Sequence, residues 1–269
     1  MPSDSIDFCW VDGELCSNKR AAVRVDDSAF REGRGCLTTL RIAAGQPLFV
    51  DRHIVRLQDG AKALRLGEVA EATIRRALAE LGEATLPDGE GVIRLQVSRD
   101  DDGETHLIGI ARRLGNDPSE WSAIIVALPH DGASLVDGMK VSSRLTLSLA
   151  ADDARTAGVD EAILLNASGT LIEGATSNLF VASQEGRLWT PAIASGAVAG
   201  IARSLALERI PEIEERNIAK SELLAAKELI AVNAVRGARP ITRLNNRKVG
   251  DGRPGPWSAR LADVLATGE

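Results

Sequence analysis

The sequence predicts an α+β chain made of two halves. Short runs in which apolar and polar residues alternate, typical of strands, are interspersed with longer segments whose apolar residues recur at helical spacing. A polar stretch with glycine, asparagine and proline, residues 114–120, has the composition of a linker. We therefore expect a small N-terminal α/β domain over residues 1–113 and a larger, β-rich domain over residues 121–269, with a ligand site in the cleft between them.

In the first half, strands and helices alternate along the chain. Asp51 precedes apolar residues at helical spacing, beginning with Ile54 and Leu57, and this pattern predicts a helix that Asp51 caps. Gly60 lies inside that helix, where glycine costs about 1 kcal/mol relative to alanine. The predicted strands cover residues 8–11, 21–25, 36–42, 47–50, 91–98 and 106–111, with a turn at residues 43–46 and a second helix at residues 69–81.

The second half is richer in strands. Apolar runs separated by turn residues predict strands over residues 123–128, 161–165, 171–181 and 188–190, with a further strand that ends at Asn233. Amphipathic spacing predicts helices over residues 144–157, 200–209, 221–226 and 257–265.

Composition and charge exclude several classes of protein. The chain has 38 acidic and 32 basic residues and a net charge of −6, whereas nucleic-acid-binding surfaces show a basic excess, so we expect no nucleic-acid partner. No apolar run could span a bilayer and the first residues lack a signal pattern, so we expect a cytoplasmic protein with no membrane partner. The three cysteines have no CxxC spacing and the three histidines form no HExxH pair, so we expect no disulfide framework and no metal site.

One lysine has an unusual position. Of the six lysines, Lys140 alone lies at a sharp junction, between the glycine-containing VDGM (residues 136–139) and a long amphipathic helix. The chain has neither a GxxxxGK[ST] phosphate loop nor a GxSxG nucleophile turn. The residue pattern alone leaves the reaction open, because a solvated surface lysine is far commoner than a catalytic one.

Five segments around this lysine share an order and a spacing with a known family. GMKVSSRLTLSLAADDARTAGVDEAILLN (residues 138–166) is followed by GTLIEGATSNLF (169–180), WTP (189–191) and GAVAGIAR (196–203), and preceded by RHIVRLQD (52–59). Together they resemble the fold-type IV pyridoxal-phosphate enzymes, the class IV aminotransferase family, over nearly the whole chain. The resemblance implies a two-domain, D-amino-acid-aminotransferase-like architecture with pyridoxal 5'-phosphate in the interdomain cleft.

The resemblance also implies roles for individual residues. Lys140 binds the cofactor covalently and moves protons during catalysis. Glu173 faces the pyridine nitrogen, and Arg56 binds the phosphate, a dianion that suits a guanidinium. The other implied cofactor contacts are Asn178, Gly200, Ile201, Ala202, Asn233 and Ala234, although a packing glycine at 200 and a structural asparagine at 233 are open alternatives. Relatives are homodimers, so we expect a homodimer here.

Within the family, GCLTTLR (residues 35–41) and VNAV (232–235) are similar to the 4-amino-4-deoxychorismate lyase branch, which forms 4-aminobenzoate and pyruvate. This similarity suggests Leu37, Thr39 and Arg41 as substrate contacts. Branched-chain aminotransferases place a tyrosine five residues after the lysine, where this chain has Leu145. Residues 32–35 and the acidic run 100–102 depart from the lyase pattern, so a class IV aminotransferase acting on a D-, branched-chain or other amino acid remains the alternative, and a non-catalytic cofactor-binding homologue the third. In each case the ligand is a small-molecule amine or amino acid.

Overall fold

The computed structural model describes residues 7–126 and 136–266, and this part of the chain packs as two units. The first unit comprises residues 7–116 and Met139–Ser143; the second comprises residues 117–126, 136–138 and 144–266. The division at Asn116 and Asp117 falls inside the segment interpreted as a linker. The assignment of all of residues 121–269 to the second domain needs a correction, because the segment that contains Lys140 packs with the first unit.

The first unit is an antiparallel sheet with helices. Its strand order is β2-β1-β6-β5-β3-β4, and every pair of neighbours is antiparallel. Its elements are β1 (Phe8–Val11), β2 (Glu14–Ser17), α1 (Ser28–Glu32), β3 (Cys36–Ala43), β4 (Gln46–Pro47), α2 (Val50–Ala63), α3 (Glu71–Thr85), β5 (Gly91–Arg99) and β6 (Thr105–Arg112).

The hairpin of β1 and β2 corrects one predicted strand. Asp12 and Gly13 both have positive φ angles, 47° and 103°, which is the backbone that a two-residue hairpin turn requires. β2 therefore follows β1 at once and ends at Ser17, while residues 21–24 have no regular structure. The predicted strand at residues 21–25 is wrong, because the Asp-Gly turn places the partner strand of β1 at Glu14–Ser17 instead.

The start of α2 also differs from the prediction. The helix begins at Val50, after Phe49 in the left-handed region (φ 55°), and no side chain caps it. Asp51 lies in the first turn and pairs with Arg75 instead of capping, and the preceding strand ends at Pro47. Gly60 has a packing reason: a Cβ there would lie 2.8 Å from Cys36 Cβ, so glycine allows α2 to approach β3 closely.

The core of the first unit lies where α2 and α3 pack on the sheet. Its fully buried side chains come from both helices and from the central strands, which explains why helical and alternating patterns predicted these elements. They include Trp10, Leu40, Leu57, Ile74, Leu81, Ile93 and Leu95.

His106, at the start of β6, predicts a pH dependence of stability. Its Nδ1 lies 2.7 Å from Asp12 Oδ2 and its Nε2 lies 3.0 Å from Asp100 Oδ2. Burial alone would lower the pKa of His106, but the hydrogen bonds to Asp100 and Asp12 outweigh burial and raise it. Because the pKa of His106 is higher in the folded state, its contribution to the free energy of unfolding is complete below about pH 6.5. That contribution is lost as the pH rises through the folded pKa.

We expect the free energy of unfolding to fall above about pH 6.5 more steeply for the parent than for His106→Gln, by less than about 1 kcal/mol because the site is partly solvated. Urea denaturation at a series of pH values measures both slopes. Equal slopes would show that folding does not raise the pKa of His106.

The second unit contains a nine-stranded mixed sheet. Its order is β12-β11-β10-β13-β14-β7-β8-β9, with β15 paired to β14; the pairs β7–β8, β7–β14 and β11–β12 are parallel. Its elements are β7 (Trp121–Val126), α4 (Leu145–Thr156), β8 (Glu161–Leu165), β9 (Leu171–Gly174), β10 (Asn178–Ala182), β11 (Leu188–Pro191), α5 (Ile201–Arg209), β12 (Glu214–Arg216), α6 (Lys220–Leu224), β13 (Glu228–Asn233), β14 (Gly237–Leu244), β15 (Arg247–Lys248) and α7 (Pro256–Ala266).

Most predicted elements of this half are present, with one correction. The single strand predicted over residues 171–181 is two strands, β9 and β10, separated at residues 175–177. The last two residues of the strand predicted at 123–128, and His130, lie outside the described residues. Among residues 7–126 and 136–266, no helix is long and apolar enough to cross a membrane, and no cluster of His, Cys, Asp or Glu could hold a metal ion.

Candidate active site

The backbone around Lys140 is held against β3. The Lys140 carbonyl accepts a hydrogen bond from Leu37 N–H (2.9 Å), and Ser142 N–H donates to the Gly35 carbonyl (2.8 Å). A Cβ on Gly35 would lie 2.6 Å from Ser142 Oγ and 2.9 Å from the Val97 carbonyl, so only glycine permits this approach. These bonds explain why the segment packs with the first unit, and they fix the backbone from which the lysine side chain extends.

Lys140 also differs from the other lysines in its exposure. All six lysines lie in the described part of the chain, and five of them are exposed, whereas Lys140 is half-buried. A lysine partly withdrawn from water at a rigid junction is better suited to covalent chemistry than a freely solvated one. The five exposed lysines are Lys19, Lys62, Lys220, Lys227 and Lys248.

Arg56 and His53 lie one turn apart on the same face of α2. Arg56 is half-buried, and burial lowers the pKa of its guanidinium to about 10, so it remains charged at neutral pH. A desolvated cation gains from an anionic ligand more than a hydrated one does. His53 is 1% exposed, and the positive charges of Arg56 and Lys140 both act on it.

The suggested substrate residues share one face of β3, where alternate residues point the same way. Leu37 is buried beside the Lys140 carbonyl, and Thr39 is half-buried. Arg41 pairs with Glu90 (3.3 Å), which also accepts from Ala44 N–H and so ties the β3–β4 turn to the start of β5. Arg41 stands four residues beyond Leu37, about 13 Å along a strand, and its role as a substrate contact stays a prediction.

In the second unit, Glu173 presents a buried, oriented carboxylate. It lies near the end of β9, is 4% exposed, and accepts hydrogen bonds at Oε2 from Val198 N–H (3.0 Å) and from the Asn178 amide (3.4 Å). Glu173 therefore does not face solvent, as a glutamate on a surface strand would. A buried carboxylate held in one direction can stabilise a positive charge placed against it.

Glu161 braces the break between β9 and β10, a role the sequence analysis missed. Its buried carboxylate accepts from Thr176 Oγ1 and Ser177 Oγ, both at 2.7 Å, and burial raises its pKa in spite of these bonds. A Cβ on Gly174 would lie 2.8 Å from Glu161 Cδ. The break separates Glu173 from Asn178. The sequence signal for the role of Glu161 was the Asp-Glu-Ala triplet of the segment that contains Lys140.

Asn178 links Glu173 to the start of α5. Its amide donates to the Val198 carbonyl (2.8 Å) as well as to Glu173. A Cβ on Gly200 would lie 1.9 Å from Asn178 Oδ1, so Gly200 is required for close approach and does more than fill space. Glu173, Asn178 and the loop of residues 198–200 therefore form one connected group.

The first turn of α5 has the properties of an anion site. Ile201 and Ala202 are both buried, the helix begins after Gly200, and no side chain caps it. Backbone N–H groups at the start of a helix, together with the helix dipole, favour a bound phosphate. This observation supports the predicted phosphate contact through Gly200, Ile201 and Ala202.

The turn after β13 lies beside this group. Asn233 accepts from Val235 N–H (3.0 Å) and Arg236 N–H (2.8 Å), and its amide lies 3.4 Å from the Thr176 carbonyl. The asparagine side chain therefore shapes the turn, which agrees with its interpretation as structural. Ala234 is half-buried in the same turn, and any cofactor contact there would come from the backbone.

Arg144 is a second residue that the sequence analysis did not assign. It precedes α4, donates weakly to the Ala175 carbonyl (3.4 Å), and lies close enough to Glu173 for their charges to interact. Burial lowers its pKa, and the Glu173 carboxylate opposes that shift. The neighbouring Leu145 is 72% exposed. The positive charge of Arg144 thus partly offsets the negative charge of Glu173. The sequence signal for Arg144 was the Arg-Leu pair that follows the lysine.

The chain matches one family of known proteins over most of its length. A family model described as "Amino-transferase class IV" matches residues 35–244, which is most of the chain. The branched-chain-amino-acid aminotransferase of Escherichia coli (strain K12) is 28% identical, and the match covers 100% of this chain and 96% of that protein.

Two solved structures share the fold. A hypothetical aminotransferase from Mycobacterium tuberculosis in its PLP-bound form has a TM-score of 0.82 at 20% identity, covering 97% of this chain and 98% of its own. A Legionella pneumophila protein provisionally assigned as a 4-amino-4-deoxychorismate lyase has a TM-score of 0.82 at 21% identity, covering 94% and 97%. At these identities the structures show the fold alone, whereas the family model matches a range that includes Arg56, Lys140 and Glu173. The chain therefore belongs to the class IV aminotransferase family, with the fold-type IV architecture and pyridoxal phosphate as its cofactor.

Proposed function

We propose that Lys140, Arg56 and the Glu173 group act on one molecule of pyridoxal phosphate. Lys140 would bind its aldehyde carbon, and Glu173 would accept a hydrogen bond from the pyridine nitrogen. Arg56 and the N–H groups at the start of α5 would bind the phosphate. The buried, oriented Glu173 carboxylate supports this proposal most strongly, because a carboxylate held in one direction can stabilise a positive charge placed against it.

The proposed reaction uses three groups of the chain. When bound, pyridoxal phosphate supplies a carbon that joins the substrate amine and a protonated ring that takes up electron density. Lys140, displaced by that amine, acts as the general base that removes a proton from the substrate. Glu173 keeps the pyridine nitrogen protonated. Arg144 lies close enough for its positive charge to interact with the Glu173 carboxylate.

For the substrate, we propose 4-amino-4-deoxychorismate, which would yield 4-aminobenzoate and pyruvate. Lys140 would remove the ring proton next to the substrate nitrogen; the enolpyruvyl group would then leave, take up a proton and form pyruvate as the ring becomes aromatic. Two observations support the lyase over a branched-chain aminotransferase: GCLTTLR at residues 35–41 resembles the lyase branch, and exposed Leu145 stands where those aminotransferases place a tyrosine. The chain contains no tyrosine at all.

An aminotransferase remains the second candidate, favoured by the full-length match to the E. coli branched-chain enzyme. It would use the same lysine but return the proton to the cofactor carbon. Incubation of the holoenzyme with aminodeoxychorismate, with pyruvate and 4-aminobenzoate measured in parallel, tests the lyase. A panel of L- and D-amino acids, followed by cofactor absorbance, tests the alternative. Equimolar formation of pyruvate and 4-aminobenzoate would support the lyase. Cofactor absorbance that changes with amino acids, without product from aminodeoxychorismate, would show that the protein is an aminotransferase instead.

The phosphate role of Arg56 gives a prediction about affinity. Arg56→Ala should weaken pyridoxal-phosphate binding by about 10- to 100-fold, since a hydrogen bond to a charged group contributes roughly 1.5–3 kcal/mol. Titration of apoenzyme with cofactor measures the change, and Arg75→Ala, an exposed arginine on α3, serves as the control. Equal cofactor affinities of the parent and Arg56→Ala would show that Arg56 does not bind the phosphate.

We also propose that the protein is a homodimer, from the family resemblance and from large apolar side chains that the described chain leaves exposed, Val25 and Phe30 among them. A two-fold dimer is the simplest closed assembly. Light scattering over a dilution series, with cofactor absorbance read in parallel, should show cofactor loss as the dimer dissociates. A monomer that keeps its cofactor would contradict the proposal.

A further inference from the structure

His53 has a polar atom that the fold leaves without a partner. The residue lies on α2, is 1% exposed, and its Nδ1 lies 2.5 Å from Oγ1 of Thr38, a fully buried residue of β3. Its Nε2 is buried, and none of the residues that the structure describes gives it a hydrogen-bond partner. Buried nitrogen atoms in native proteins usually have a hydrogen-bond partner, so this one is a candidate for a contact with a bound ligand.

The surroundings indicate the charge of that group. Burial, which is the largest cause, and the positive charges of Arg56 and Lys140 together lower the pKa of His53 to about 3. The imidazole is therefore neutral at physiological pH and carries a single N–H. Because two positive charges act on this nitrogen, an anionic ligand group suits its surroundings better than a cationic one.

The hydrogen bond with Thr38 is linked to the tautomer of His53, because the hydroxyl can donate to Nδ1 or accept from it. When the Thr38 hydroxyl donates to Nδ1, the N–H is at Nε2, which then acts as a donor. An uncharged donor has an advantage beside two cations, because it binds an anion without adding a third repelling positive charge.

We propose that His53 donates from Nε2 to the phosphate of the bound cofactor, with Thr38 as the positioning residue that fixes its tautomer. This inference rests on the proposed cofactor site. It adds a second side-chain contact to the phosphate, beside the one proposed for Arg56 of the RHIVRLQD segment.

Comparing the phosphorylated and unphosphorylated cofactors isolates this contact. His53→Asn removes the nitrogen at the ε position, whereas His53→Gln places an amide nitrogen close to it. We expect His53→Asn to weaken pyridoxal-phosphate binding by about 10- to 100-fold, the range for hydrogen bonds to charged groups, and to change pyridoxal binding less than about 3-fold. His53→Gln should restore most of the affinity, and Thr38→Val should lose part of it. His106→Asn, on β6, is the matched control and should leave both affinities unchanged.

Two outcomes would overturn the proposal. Equal losses for pyridoxal phosphate and pyridoxal would show that His53 only supports the fold, and no loss for either would show that Nε2 faces no ligand. NMR of ¹⁵N-histidine apoenzyme gives an independent measurement: the His53 Nε2 signal should have the shift of a protonated nitrogen and move when pyridoxal phosphate binds. Borohydride labelling of Lys140 in His53→Asn keeps the questions separate, because labelling without an affinity change contradicts the His53 contact and leaves the cofactor site intact.

Discussion

Lys140→Ala is expected to abolish turnover while the protein stays folded. The general base alone accounts for roughly 10²- to 10⁴-fold of rate, and the variant also loses the covalent attachment of the cofactor, so we expect a fall of more than about 10³-fold. Initial rates of pyruvate formation, or of the amino-acid half-reaction, measure the effect.

Lys140→Ala should keep its fold because the backbone holds the segment in place. The hydrogen bonds from Leu37 N–H to the Lys140 carbonyl and from Ser142 N–H to the Gly35 carbonyl do not use the side chain. Lys62→Ala, an exposed lysine on α2, is the control and should keep parental turnover. Turnover of Lys140→Ala within tenfold of the parent would contradict the assignment of the base.

Glu173→Gln is expected to keep the cofactor bound but to lower turnover about 100-fold. The amide has the shape of the carboxylate and can still accept from Val198 N–H, so the local hydrogen bonds survive. It cannot balance the charge of a protonated pyridine nitrogen, and one lost charge-assisted hydrogen bond is worth about 2–3 kcal/mol, or roughly two orders of magnitude in rate.

The matched control is Glu228→Gln, which neutralises another buried carboxylate of the second unit. Glu228 lies at the opposite end of β13 from Asn233 and accepts from Trp257 N–H and Ser258 N–H at the start of α7. Its replacement should lower the unfolding midpoint and leave turnover per folded molecule unchanged. If Glu173→Gln turned over within a factor of two of the parent, the carboxylate would not face the ring.

Local patterns predicted most elements of the fold because each element buries one face. Strands β5 and β8 and helices α4 and α7 are found within one or two residues of their predicted bounds. The wrong predictions lie where the backbone conformation of one or two residues determines the structure. The turn at Asp12 and Gly13 leads directly into β2, and Phe49 in the left-handed region precedes α2, which has no side-chain cap.

The candidate site was predictable in part from motifs. The motifs indicated separate roles for Lys140, Glu173 and Gly200. In the structure, Glu173 and Gly200 have neighbours that suit the roles predicted for them. Arg144 and Glu161 were missed because their significance depends on contacts with residues about 30 and 15 positions away in sequence. The unsatisfied Nε2 of His53 is likewise a property of packing, which no single-sequence pattern reports.

The central claim is that Lys140 carries pyridoxal phosphate, and borohydride reduction followed by peptide mapping tests it most directly. Reduction fixes the cofactor to the lysine that holds it, and mass spectrometry then locates the added mass. The account predicts one label per chain, on the peptide that contains Lys140, and a loss of the yellow colour on reduction. A label on Lys62, on Lys220 or on no lysine would contradict it.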